Sequence, residues 1–90
     1  MEEKCFKAVN FDLDTHQLSS LYPGDNYRKS YKDLQQFFEG REFIHRQGSG
    51  YISKERMSPF DIYNLVEDMG YCLPWLPECV NKMDVTNIGQ

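Results

Sequence analysis

Two aspartates, Asp12 and Asp14, flank Leu13 at the carboxyl end of a run dense in β-formers, Cys5 to Leu13 (CFKAVNFDL). A carboxylate closing an apolar strand is in an unusual place for a charge, because charged side chains are seldom buried without a partner. Such a group can accept a proton as a general base, or offer hard oxygen ligands to Mg²⁺ or Mn²⁺. It can equally accept backbone amides and cap the turn that follows. Farther along, Gln47-Gly48-Ser49-Gly50 supplies a hydroxyl among glycines, a pattern that suits a tight turn or a phosphate-binding nest. Arg46 and Lys54 bring positive charge to either side of it, and His16 and His45 are the two imidazoles of the chain.

The elements that must position these groups can be read from periodicity and turn chemistry. Side chains alternate along a strand, so Val9, Phe11 and Leu13 share one face, and Phe6, Ala8, Asn10 and Asp12 the other. Asp14 to Tyr22 suits one or two helical turns, ended by Pro23-Gly24. Asp25 or Asn26 can cap a longer helix, in which Tyr27, Tyr31, Leu34 and Phe38 form one stripe. Gly40 is expected to stop that helix in a left-handed conformation. Phe43 to Gln47 and Tyr51 to Lys54 read as two short strands of a hairpin turned by Gly48-Ser49-Gly50. Ser58-Pro59-Phe60-Asp61 starts a second long helix with a serine cap, a first-turn proline and an acid at the third position. Ile62, Leu65, Val66 and Met69 make its apolar face and Gly70 is expected to close it. Pro74 and Pro77 break the next segment, where Trp75 anchors, and Met83 to Ile88 alternates as a final strand.

The order β-α-β-β-α-β is that of the split-βαβ, ferredoxin-like arrangement. It predicts an α/β (α+β) fold, with a four-stranded antiparallel sheet and the helices on one face. The other sheet face must then be polar, covered by a ligand, or covered by a second subunit. Asp12 belongs to that second face if Val9 and Phe11 point to the helices.

Ninety residues fit a single domain spanning 1–90, with 40% apolar and 14% aromatic residues to build a core. A domain so small gains from burial in an oligomer. No apolar run approaches the roughly 20 residues needed to cross a bilayer. The opening Met-Glu-Glu-Lys is acidic where a secretory signal is basic, so a cytoplasmic location is expected, with no membrane contact. Cys5, Cys72 and Cys79 are odd in number and lack metal spacing, which favours buried free thiols. The net charge of −4 conceals an asymmetry. Residues 28–56 hold seven bases and four acids, a balance of +3, and the rest hold three bases and ten acids, a balance of −7. The basic middle suits phosphate contacts, although a solvated helix face and hairpin would look the same by charge alone.

Phe11-Asp12-Leu13-Asp14-Thr15 resembles the aspartyl-nucleophile motif of haloacid-dehalogenase-type phosphatases, but it lacks the glycine that usually follows the second acid. Those enzymes also need a doubly wound parallel sheet, and here a hairpin stands where the next βα unit would be. A second resemblance covers nearly the whole chain. It rests on Lys7-Ala8-Val9-Asn10-Phe11-Asp12-Leu13, the tyrosine-rich stretch Asn26 to Leu34, Phe43, Gln47-Gly48-Ser49-Gly50-Tyr51-Ile52 and the late Pro74-Trp75. In order and spacing these residues resemble the virulence-associated protein D (VapD) family of bacterial toxin-type endoribonucleases. That family is similar in fold to the small ferredoxin-like protein of CRISPR spacer acquisition.

The resemblance implies a homodimer that cleaves single-stranded RNA, with an antitoxin protein as a possible partner. It implies that the aspartate ending the first strand, Asp12, is the main catalytic residue near the dimer axis. The family's Gln-Gly-Ser hairpin matches Gln47, Gly48 and Ser49, which makes Ser49 a second catalytic candidate. Arg46, Gln47 and Lys54 are then the residues expected near RNA. No role passes to Asp14, where relatives can carry a base, and His16 and His45 match no family position.

Two chemistries follow for Asp12. Twofold-related carboxylates can hold Mg²⁺ or Mn²⁺, which activates water, or a carboxylate can assist attack by the RNA 2′-hydroxyl. Each candidate also has a plainer role: Asp12 as a turn cap, Gly48-Ser49-Gly50 as a simple turn, His45 as a surface strand residue and the aromatics as core. A non-catalytic module of the same fold, binding a protein or nucleic acid, is the alternative to the nuclease.

Overall fold

The first strand, β1 (Phe6–Leu13), runs through the middle of the sheet, and every other element is placed by it. In chain order come α1 (Thr15–Leu21), α2 (Lys29–Glu39), β2 (Phe43–His45), β3 (Gly50–Ser53), α3 (Pro59–Cys72), a 3-10 turn (Leu76–Cys79) and β4 (Val80–Ile88). This computed structural model describes residues 3–88. The strands are ordered β2-β3-β1-β4 and every neighbouring pair is antiparallel. That is the sheet of a ferredoxin-like fold, with a short extra helix, α1, directly after β1.

Alternation along β1 divides the molecule in two. Val9 and Leu13 are buried, and they join Leu18 of α1, Leu34 and Phe38 of α2, and Leu65 and Met69 of α3 in one core. The aromatic stripe of α2 centres on Phe38, whose ring stacks on Tyr51 of β3 at 4.3 Å and meets Phe11, Phe37 and Phe43 edge-on. Offset and edge-to-face contacts of this kind add to the burial of each ring. Trp75 is buried with its ring edge-on to Tyr22 at 5.2 Å, the anchoring role expected of it. Among the described residues no helix packs on the opposite sheet face.

Local signals explain most element ends. Ser58 and Asp61 form a reciprocal capping box at the start of α3, with Pro59 at its first position. Asn26 makes its expected contribution before α2 by accepting the Arg28 amide at 3.0 Å, although the helix itself begins at Lys29.

Two expected stops are corrected, one in conformation and one in place: α2 does end at Gly40, but not in the left-handed form expected. Gly40 has φ −70° and is ordinary right-handed backbone, and the left-handed residue is Glu42 at φ 67°. The reversal is fixed two residues late by tertiary pairing, because the Glu42 carbonyl accepts the Lys54 amide at 2.9 Å. Gly70 does not end α3, which continues to Cys72. Leu73 leaves the helix because Pro74 follows it, and proline disfavours helical backbone in the residue before it.

The thiols of Cys5, Cys72 and Cys79 are all free. Cys79 is buried and Cys72 exposed, so burial holds for only part of the set. Among the described residues no helix is long and apolar enough to cross a membrane.

Candidate active site

Register across the sheet defines the open face row by row. Asp12 lies opposite Lys82 of β4, and Asn10 opposite Asp84. On its other side Asn10 faces Gly50 of β3, whose carbonyl accepts the Arg46 amide at 2.7 Å. The next row, Ile44-Ile52-Ala8-Thr86, crosses all four strands, and Phe6 pairs with Ile88 beyond it. One end of the face is therefore polar (Asp12, Asn10, Arg46, Lys82, Asp84) and the other largely apolar (Ile44, Ile52, Ala8, Phe6, Ile88). Ile44 is 51% exposed although it is a large aliphatic residue.

Asp12 is exposed at the polar end, on the side predicted from alternation. Among the described residues no hydrogen bond or ion pair engages its carboxylate. Lys82, its cross-strand neighbour, is drawn instead to Asp84 at 3.8 Å. The capping role open to Asp12 is filled by Asp14, whose Oδ1 accepts the amides of His16 and Gln17 at 3.0 and 3.1 Å and starts α1. That contact also removes Asp14 as the second acid of a phosphatase pair. The two aspartates thus divide the work: one builds the turn and the other is left free on the open face.

The hairpin tip is tied to the same strand. The Ser49 carbonyl accepts the Phe11 amide at 3.1 Å, which brings Ser49 within one residue of Asp12 along the backbone. Gly48 takes φ +62°, where a side chain would be strained. At Gly50 a Cβ would lie 2.8 Å from the Asn10 side-chain oxygen, so the two strands approach closely here and a larger residue would displace the Asn10 side chain. Beside these residues an open groove of about 380 Å³ is lined by Asn10, Arg46, Gln47 and Ile52.

Asp12, Ser49, Arg46 and Gln47 are therefore gathered at one end of the sheet. Lys54 is not. It follows β3 at the opposite end, six residues of strand from the Asp12 row, roughly 20 Å at about 3.3 Å per residue. His45 makes a structural contact, its Nε2 meeting the Gly48 carbonyl oxygen at 2.7 Å, with its ring 5.2 Å from Tyr51. Among the described residues no group of three His, Cys, Asp or Glu side chains could hold a metal ion.

Asn10 and Lys82 complete the polar end and had not been singled out. Period-two alternation already places Asn10 beside Asp12, whereas Lys82 becomes a neighbour only through β1–β4 pairing across most of the chain.

Over 81 residues the chain is 30% identical to endoribonuclease VapD 2 of Riemerella anatipestifer, an alignment covering 90% of this chain and 86% of that relative. The chain belongs to the VapD family. No protein-family model matches it. A VapD relationship spanning 90% of the chain does not rest on one short motif.

Proposed function

We propose that this VapD-family protein is an endoribonuclease that cleaves single-stranded RNA as a homodimer, with Asp12 as its central catalytic residue. The observation that carries the reading is the state of Asp12: exposed at the end of β1, outside every described hydrogen bond and ion pair, beside a groove lined by Arg46 and Gln47. A carboxylate that builds nothing is available to take a proton or to ligate a cation. The name of the R. anatipestifer relative supports the choice of RNA.

In this reading Arg46 meets a phosphate, the Gln47 amide and Asn10 meet base or sugar edges, and the Ser49 hydroxyl stands near the scissile group. The Ser49–Phe11 bond keeps the hairpin tip beside the carboxylate. Lys54 is too far away to touch the same phosphate and serves RNA outside the cleavage point. The apolar half of the open face is covered by a second copy, and twofold symmetry would bring the partner's equivalent carboxylate to a shared axis. Mg²⁺ or Mn²⁺ held there by both carboxylates would supply an activated water and offset charge on the phosphorane. Family membership supports the remaining parts of the reading, a toxin-type enzyme of the cytoplasm restrained by a protein antitoxin.

Cleavage of labelled single-stranded RNA by wild type and by Asp12→Asn tests the proposal. Loss of cutting in the variant is the expected result. Wild type inert on RNA with any divalent ion would turn the reading to a binding module built on the same sheet.

A further inference from the structure

We infer that the RNA strand does not end at the open face but crosses the hairpin turn into a second groove, where Arg28 and Lys32 hold its phosphates and Tyr31 stacks against a base. This inference rests on the RNA reading above and extends it to a new surface. The turn at residues 46–49 separates two concavities. On the open face lies the groove lined by Asn10, Arg46 and Gln47. On the helix side, between α2 and the hairpin, lies another of about 500 Å³ lined by Arg28, Tyr31, Lys32, His45 and Gly48. Strand alternation explains the sharing, since Arg46 and His45 are consecutive and point to opposite faces.

The second groove has the chemistry of a phosphate track. Arg28 and Lys32 stand four residues apart, a spacing that puts both on one side of the helix. Both are exposed, and neither enters an ion pair among the described residues. Tyr31 lies between them, half-buried, packed against the core and lining the groove. Cations beside an aromatic surface are what sequence-tolerant single-strand binding uses, charge following the backbone and rings stacking bases. The acid of this groove, Glu39, sits seven residues beyond Lys32, roughly 10 Å along the helix axis. Its carboxylate accepts a hydrogen bond from Gln35 at 3.0 Å. The groove is therefore positive at the Arg28–Lys32 end and negative at the other, so a strand is held only at the first. Three of the seven bases in residues 28–56, Arg28, Lys32 and Arg46, line the two grooves.

The test uses the Arg28→Gln/Lys32→Gln double variant, with Lys29→Gln as a control, because Lys29 is equally exposed on α2 but does not line the groove. Affinity for a long single-stranded RNA is measured in chelator on an Asp12→Asn background, across a range of salt concentrations. The double variant should bind about tenfold or more weakly, and the slope of log affinity against log salt should flatten by about 1.4, two phosphates at about 0.7 each. Lys29→Gln should keep both values. On the active background the double variant should lose kcat/KM on the long RNA. Unchanged affinity and slope in the double variant, with wild type binding RNA, would overturn the second groove and leave the nuclease standing. Wild type that neither binds nor cuts RNA would overturn both.

Discussion

The Ser49 carbonyl oxygen lies 3.1 Å from the Phe11 amide nitrogen, and this bond fastens the β2–β3 turn to the strand that carries Asp12. Positioning here is a matter of backbone. The side chains proposed to act are left unengaged, while the main chain beneath them is tied, which is how a small domain keeps a site in place without spending the site's own groups.

From that division follows the response to Asp12→Asn. The swap is nearly isosteric and takes away only charge, so cleavage should fall by at least the roughly hundredfold typical of losing a general acid or base. Thermal stability should hold or rise, because the carboxylate supports no described contact and like charges across a twofold axis repel. Denaturation and RNA turnover on the same two proteins check this together. A lower melting temperature with unchanged turnover would make Asp12 structural.

The apolar end of the open face predicts assembly. A large aliphatic residue as exposed as Ile44, next to Ile52, Ala8 and Phe6, is best covered by a second copy, in a twofold arrangement where each patch meets its own image. Sedimentation equilibrium at micromolar concentration should give twice the 10.7 kDa chain mass. Ile52→Asp should shift the protein to monomer. A wild-type mass of one chain would refute the dimer.

The two routes open to Asp12 leave different ends. Water activated by a metal ion yields a phosphate monoester and stops in chelator, whereas attack by the 2′-hydroxyl yields a 2′,3′-cyclic phosphate and fails at a 2′-deoxy position. Monoester ends and loss of cutting in chelator are expected. Cyclic ends formed at an undiminished rate in excess chelator would instead assign the general-base route.

Two phenols give the fold a limit at high pH. The Tyr22 hydroxyl donates to the Asp33 carboxylate, and that bond, with burial and the nearby charge, pushes its pKa up to about 12. Burial, helped by Glu39, pushes Tyr51 to about 12 as well. Because the folded state favours both neutral phenols, their stabilising contribution is complete below the ordinary value of 10.0 and is lost as pH rises from there towards 12. Of the six tyrosines, Tyr22 and Tyr51 should be the last to show phenolate absorbance, and Tyr22→Phe should remove one late step. Six phenols titrating together near pH 10 in a folded protein would contradict this.

Much of this architecture is legible in the sequence because its signals are local. Ser58, Pro59 and Asp61 announce α3 within four residues, and strict alternation from Phe6 to Leu13 separates the core side from the Asp12 side. What escapes is set by contacts between distant segments. Gly40 ends α2 as its letter suggests, but the left-handed residue is Glu42, held by Lys54. Lys54 looks like a companion of Arg46 until register carries it to the far end of the sheet. Arg28 and Lys32 are visible as charges, but the groove they line exists only once α2 lies against the hairpin. Asp12 and Asp14 are indistinguishable as letters, and only the cap on α1 tells which of them is free.

The pairing of Phe6 with Ile88 has a consequence for biosynthesis. β1 is among the first segments made, and its β4 neighbour is completed some eighty residues later. A chain emerging from the ribosome must hold the strand bearing Asp12 with one side of its backbone unpaired until residue 88 has cleared the exit tunnel. Long-range pairings of this kind form late and slowly. The polar end around Asp12 is therefore among the last parts of the fold to be completed.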